Sequence, residues 1–181
     1  KIMSKHRNPY PSRTNQKLYF ARLQLDILAE ALADSDAFDS ESRALSAREA
    51  AIWHLHTGLA ALFQELSKFY KVQPAAHSAQ ALRDAMAARG ASSPEAEIIL
   101  GLSEDPSSWV SRLSALSAAC YEPVELPEMQ FDDESPARIA IPLVMTEEDQ
   151  PLSTSDLDGL QEIHRELTNM IRFFRAELVE F

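Results

Sequence analysis

Few groupings of reactive side chains occur in this chain, and the spacing of each decides what it can do. His54-Leu55-His56 has the look of a chelating pair. In a helix, however, two residues are about 200° apart, so the imidazoles point to opposite sides and cannot share a metal. His164 follows Gln161 at the offset where di-iron bundles carry Glu-x-x-His. Glu162 and Glu166 are one turn apart, a pairing that suits a solvated helix face. Cys120 is the single cysteine, so no internal disulfide forms. It falls near a helix C-terminus and reads as a packing residue, since a reactive thiol needs a basic or N-terminal setting. The four glycines, Gly58, Gly90, Gly101 and Gly159, are not clustered, and neither a phosphate-cradling loop nor a Gly-x-Ser-x-Gly elbow is present. No catalytic residue, metal or cofactor is expected, and the chain reads as a non-enzyme.

The most loaded polar stretch runs from Arg13 to Arg22. It places Arg13, Asn15, Lys17, Tyr19 and Arg22 near a helix start, where free backbone N–H groups favour anions. These five are the candidate binding residues. A purely structural reading competes: Thr14 caps the helix, Lys17 is solvated, and Arg22 pairs with Asp26 or with an acid of residues 122–149.

The stretch belongs to a wider polarity. Residues 1–25 carry six basic side chains and no acid in a chain of net charge −11, leaving −17 on the rest. Residues 122–149 hold nine acids against Arg138 alone. A basic arm on an acidic body seeks an anion, another subunit or its own body. A pI near 4.9 argues against broad nucleic-acid coating. No segment is apolar enough to span a membrane, and the N-terminus lacks the apolar run of a signal peptide. Met3-Ser4 reads as a natural start, and the expected location is the cytoplasm.

These residues must be positioned by helices. With 181 residues and 45 % hydrophobic content the chain can bury one substantial core. The expected division is a flexible basic arm over 1–13 and a single helical bundle over 14–181, with 122–153 as a long acidic connection. Pro9 and Pro11 end the arm, and Thr14 caps a helix over 14–34 with two apolar stripes, one of Leu18, Ala21, Leu25 and Leu28, the other of Phe20, Leu23, Ile27 and Ala31. A helix so apolar belongs at the bundle centre. A second helix spans 40–70, its inward stripe including Ile52, Leu55, His56, Leu59, Leu62 and Leu66. Ala47, His54, Gly58, Ala61 and Glu65 fall on its other side. His56 is thereby expected in the core and His54 in solvent. Ser78, Ser93-Pro94 and Asp105-Pro106 open three shorter helices. Five prolines punctuate the acidic connection, and Arg138–Met145 reads there as an extended segment. The last helix, over 154–180, repeats Leu157, Leu160, His164, Leu167, Ile171, Phe174 and Leu178 at spacings of three and four, with Ile163 and Met170 widening the seam toward an internal bundle helix. The fold class is therefore all-α, three long and about three short helices with an extended crossover.

Two resemblances follow. Arg48 and His54 fit the loose Arg, four to six residues, His spacing of HEPN ribonucleases, which are also helical bundles, although Glu49 stands where that pattern carries another polar residue. Thr14-Asn-Gln-Lys-Leu-Tyr-Phe-Ala-Arg22 with Arg48-Glu-Ala-Ala-Ile-Trp-His-Leu-His56 resembles an uncharacterised all-helical family of small bacterial proteins, a domain of unknown function, over most of the chain. That resemblance implies a helical bacterial protein and carries no site residue. The function expected is a protein-interaction module, docking an unknown partner or a second copy, with two alternatives: anion or nucleic-acid contact through the basic arm, and a HEPN-like ribonuclease bundle carried by Arg48 and His54.

Overall fold

Two prolines that disfavour helix in general sit here where helix tolerates them. Helix α1 (Tyr10–Ala33) has Pro9 at its N-cap and Pro11 in its first turn, where a backbone N–H would lack an intrahelical acceptor anyway. The helix therefore starts one turn earlier than residue 14. Thr14 is not its cap: it is fully buried, and its hydroxyl donates to Glu65 Oε2 at 3.0 Å.

The structure is a computed structural model that describes residues 9–34, 36–122 and 152–179. Residues 1–8 of the basic arm lie outside these, as do the extended segment 138–145 and nearly all of the acidic connection. Among the described residues there are six helices and no strand: α1, α2 (Ser40–Phe69), α3 (Ala79–Ala87), α4 (Pro94–Glu104), α5 (Trp109–Ala119) and α6 (Thr154–Val179). The protein is all-α, three long helices and three short ones.

The caps explain where the short helices begin. Ser78, Ser93 and Ser108 each accept a hydrogen bond from a backbone N–H three residues on, satisfying a donor that the helix itself leaves orphaned. Asp105 is not the cap of α5, contrary to expectation. Its carboxylate is engaged two residues on, by the Ser107 backbone N–H at 2.9 Å and hydroxyl at 2.7 Å, a local turn that hands the capping role to Ser108. Gly90 follows α3 with φ +69°, a conformation that costs glycine nothing and a side-chained residue about 1 kcal/mol or more.

Helix α1 runs antiparallel to both α2 and α6, which therefore run parallel to each other. Going up α1, Thr14 meets Glu65 and Phe20 meets His54 of α2. Going down it, Leu18 meets His164 and Asn15 meets Arg175 of α6. Helix α2 occupies the centre, packed against α1, α3, α5 and α6, whereas α1 packs mainly on α2 and α6. The expected central place of α1 is thus taken by α2.

Two faces of α2 are buried, and one of them is made of small side chains. Ala44, Ala47, Ala51, Gly58 and Ala61 are all buried, although the sequence pattern assigns only the bulky stripe inward. Small residues bring the α1 axis close, because side-chain size at the crossing sets the separation. This rotation corrects both histidines. His56 is exposed, and His54 is half-buried against Phe20 with ring centroids 5.3 Å apart. The core is completed by Leu160, Ile163, Leu167, Ile171 and Phe174 of α6, so its heptad-like seam is spent inside the bundle.

Candidate functional site

The five sequence-predicted binding residues all lie on α1, but a helix turns about 100° per residue and distributes them around itself. Asn15 faces α6, where its Oδ1 accepts from Arg175 Nη1 at 2.9 Å. Arg22 lies over the Tyr19 ring, 5.4 Å from its centroid, an exposed cation–π contact of about 0.5–1 kcal/mol. That contact replaces the expected pairing with Asp26. Arg13 and Lys17 stand one turn apart on the side facing α2. The five residues therefore form three separate environments, not one site.

Lys17 and Arg13 are joined by a residue that the sequence reading left in solvent. His54 of α2 is half-buried, and its Nδ1 has no hydrogen-bond partner. Burial chiefly, then the nearby charges of Lys17 and Arg13, hold its pKa below the usual histidine value. Burial first, and Arg13 second, also lower the Lys17 ammonium. Each effect favours the uncharged form, since a neighbouring like charge and lost hydration both penalise a cation. Arg13, Lys17 and His54 are thus a cluster of mutually repelling basic groups.

A second constellation, also missed from sequence, is internally balanced. Glu65 is buried in α2 and receives Arg175 Nε on Oε1 and Arg175 Nη2 on Oε2, while Thr14 donates to Oε2. Arg175 further donates to the Pro11 carbonyl at 3.3 Å. The network ties the start of α1, the last turns of α2 and the end of α6 together. A buried carboxylate with all its partners in place is a structural clamp rather than a reactive group.

Elsewhere, Tyr70 and Ser93 both donate to Glu95 Oε2, at 2.7 and 2.8 Å. Burial, followed by the Glu95 contact, pushes the Tyr70 phenol up to about 12. Between α2 and the end of α5 lies a shallow cleft of ≈ 260 Å³ lined by Glu49, Ile52, Trp53, Ser117, Cys120 and Tyr121, below the roughly 300–1,000 Å³ typical of small-molecule sites. Cys120 is exposed there, not packed in the core as expected. Partial desolvation of its sulfur, then the Glu49 charge, raise the thiol pKa against the weaker pull of Arg48, the opposite of an activated thiol.

Arg48 and His54 look to different neighbours. Arg48 is felt by Cys120 at the end of α5, whereas His54 stacks on Phe20 of α1. Six residues along a helix leave about 120° between them, so the pair suggested by the HEPN spacing does not share a pocket. Among the described residues, no group of three His, Cys, Asp or Glu is placed to hold a metal ion, and no helix is long and apolar enough to cross a membrane.

The apolar surface is uneven. Tyr19, Leu23 and Ile27, on successive turns of α1, are 51 %, 36 % and 38 % exposed. They form a stripe that neither α2 nor α6 covers. Gln16 stands at its N-terminal end, and Asp26 and Glu30 flank its C-terminal half.

An all-α bundle with a clamped core, a basic cluster and an apolar stripe exposed among the described residues is the class that fold and surface define. Within that class the chain belongs to a family of unknown function, DUF6586, whose profile matches residues 9–181. No curated protein and no solved structure matches it. The expectation of an uncharacterised all-helical family holds.

Proposed function

We propose that the protein is a non-enzymatic interaction module that docks an amphipathic helix of a partner protein along the outer face of α1. The observation that carries this reading is the stripe of Tyr19, Leu23 and Ile27, exposed at i, i+4 and i+8. That spacing is the ridge into which a second helix packs, and a helix so apolar on its outer side is otherwise expected at a bundle centre. Charge selects the occupant. Arg22, stacked on Tyr19, borders the stripe toward its start, while Asp26 and Glu30 border it toward the end. A partner helix with acids at the first end and bases at the second meets both, and such complementarity sets orientation and register. A second copy of α1 laid antiparallel presents the same polarity, so a complex of the chain with itself alone is the outcome against a separate partner. The proposed setting is the cytoplasm.

The test is affinity purification of the full chain followed by mass spectrometry, comparing wild type with the Leu23→Glu/Ile27→Glu double variant and with Ile98→Glu, an exposed apolar site on α4. The expected result is one stoichiometric protein retained by wild type and by Ile98→Glu, lost from the double variant, and released by added salt. A partner that survives the double variant, or is lost equally from Ile98→Glu, overturns the reading.

A further inference from the structure

Away from the stripe, the seam between α1 and α2 carries basic side chains from both helices. Lys17 crosses α2 at Gly58, where a β-carbon would lie 3.5 Å from the lysine's own. One turn back along α2, His54 stacks on Phe20, which itself stands three residues beyond Lys17. Arg13 precedes Lys17 by one turn of α1, so all three basic groups lie along one stretch of the seam, near enough for the charges of Lys17 and Arg13 to act on His54. None has an ion-pair partner among the described residues, and the nearby wall positions Gln16, Gln24, Thr57 and Ala61 carry no acid. The Arg13 guanidinium is bonded only to Gln16. In a chain of net charge −11, these three basic groups lie together with no carboxylate paired to them among the described residues.

We propose that Arg13, Lys17 and His54 form a binding site for a phosphate group, free or carried on a larger molecule. The donor set fits that chemistry. A guanidinium fork, a compact ammonium and an imidazole N–H supply donors from three side chains on two helices, which suits an anion with three or more acceptor oxygens better than a two-oxygen carboxylate. Bound phosphate supplies the counter-charge that relieves the repulsion holding Lys17 and His54 toward their neutral forms. Arg13 is exposed and Lys17 and His54 are half-exposed, so the ligand has a path in. The docking reading stands on Tyr19, Leu23 and Ile27 instead, and either can fail while the other holds.

The experiment is a proton NMR titration of the full chain in chloride and in phosphate at equal ionic strength, with His54→Gln identifying the resonance. Isothermal titration of inorganic phosphate runs alongside. The expected result is a rise of about half a unit or more in the His54 pKa in phosphate, and affinity weakened about tenfold in Lys17→Gln. Arg13→Gln, at an exposed position, serves if circular dichroism shows that Lys17→Gln has not folded. A phosphoserine peptide binding more tightly than inorganic phosphate assigns a carried group; equal or weaker binding assigns the free anion. No shift relative to chloride, or affinity unchanged in either folded variant, overturns the proposal.

Discussion

Arg175 Nε and Nη2 meet the two oxygens of Glu65 at 2.8 and 2.9 Å, a side-on fork across 110 residues of sequence. The carboxylate side chain is 9 % exposed and the guanidinium 31 %. Breaking such a pair from the arginine side strands a desolvated charge, whereas replacing both partners removes the problem. Arg175→Met should therefore cost about 3 kcal/mol, the lower end of the range for buried pairs because Arg175 retains some solvent contact. Glu65→Leu combined with Arg175→Met should recover most of that loss. Urea denaturation of the two variants checks both values.

Gly58 tests how tightly α1 and α2 approach. A β-carbon there would sit 3.5 Å from Lys17 Cβ and 3.7 Å from Leu167 Cδ2, ordinary van der Waals distances. Gly58→Ala should stabilise the protein by up to about 1 kcal/mol, the helix-interior preference of alanine over glycine. Gly58→Leu should instead cost about 1–3 kcal/mol, since the added atoms must enter the crossing. A thermal melt in which both variants move the same way contradicts the close crossing.

Leu167 and Leu59 both fall on apolar stripes in the sequence, yet Leu167 is fully buried and Leu59 only half-buried. Leu167→Ala should cost about 2–5 kcal/mol, and Leu59→Ala less, since the cost follows the cavity left behind. Equal shifts of the urea midpoint are the outcome against this placement.

What was legible in the sequence was what repeats locally. The spacing of Leu160, Leu167, Ile171 and Phe174 marks the buried seam of α6 without reference to any other helix, and Ser78 and Ser93 announce their helices in a few residues. The small-residue face of α2 was not legible. Alanine and glycine read as neutral until a second helix is laid against them, and misplacing that face exchanged the environments of His54 and His56. The clamp of Thr14, Glu65 and Arg175 spans separations of 51 and 110 residues, and no local pattern links them. The candidate binding residues share one polar stretch of sequence near a helix start. Helical rotation then separated Asn15 from Lys17, and the third member of the basic cluster came from another helix.

Tyr70 gives the pH-dependent prediction. Its hydroxyl donates to Glu95 Oε2, and burial, followed by that contact, pushes the phenol up to about 12, against about 10 for an unperturbed tyrosine. The neutral phenol is the form that the fold favours. Between these values the unfolded chain releases a proton that the folded chain keeps, so stability falls as pH rises through the window from about 10 to 12. Below it, the contribution is fully present. Tyr70→Phe should remove this part of the alkaline decline and, at neutral pH, cost about 1 kcal/mol for the lost hydrogen bond; Ser93 remains to satisfy Glu95. The protein has four tyrosines, and in a phenolate absorbance titration one late transition should be present in wild type and absent in Tyr70→Phe. A titration curve in which the variant loses an early transition instead would show that the Glu95 contact does not hold the phenol protonated.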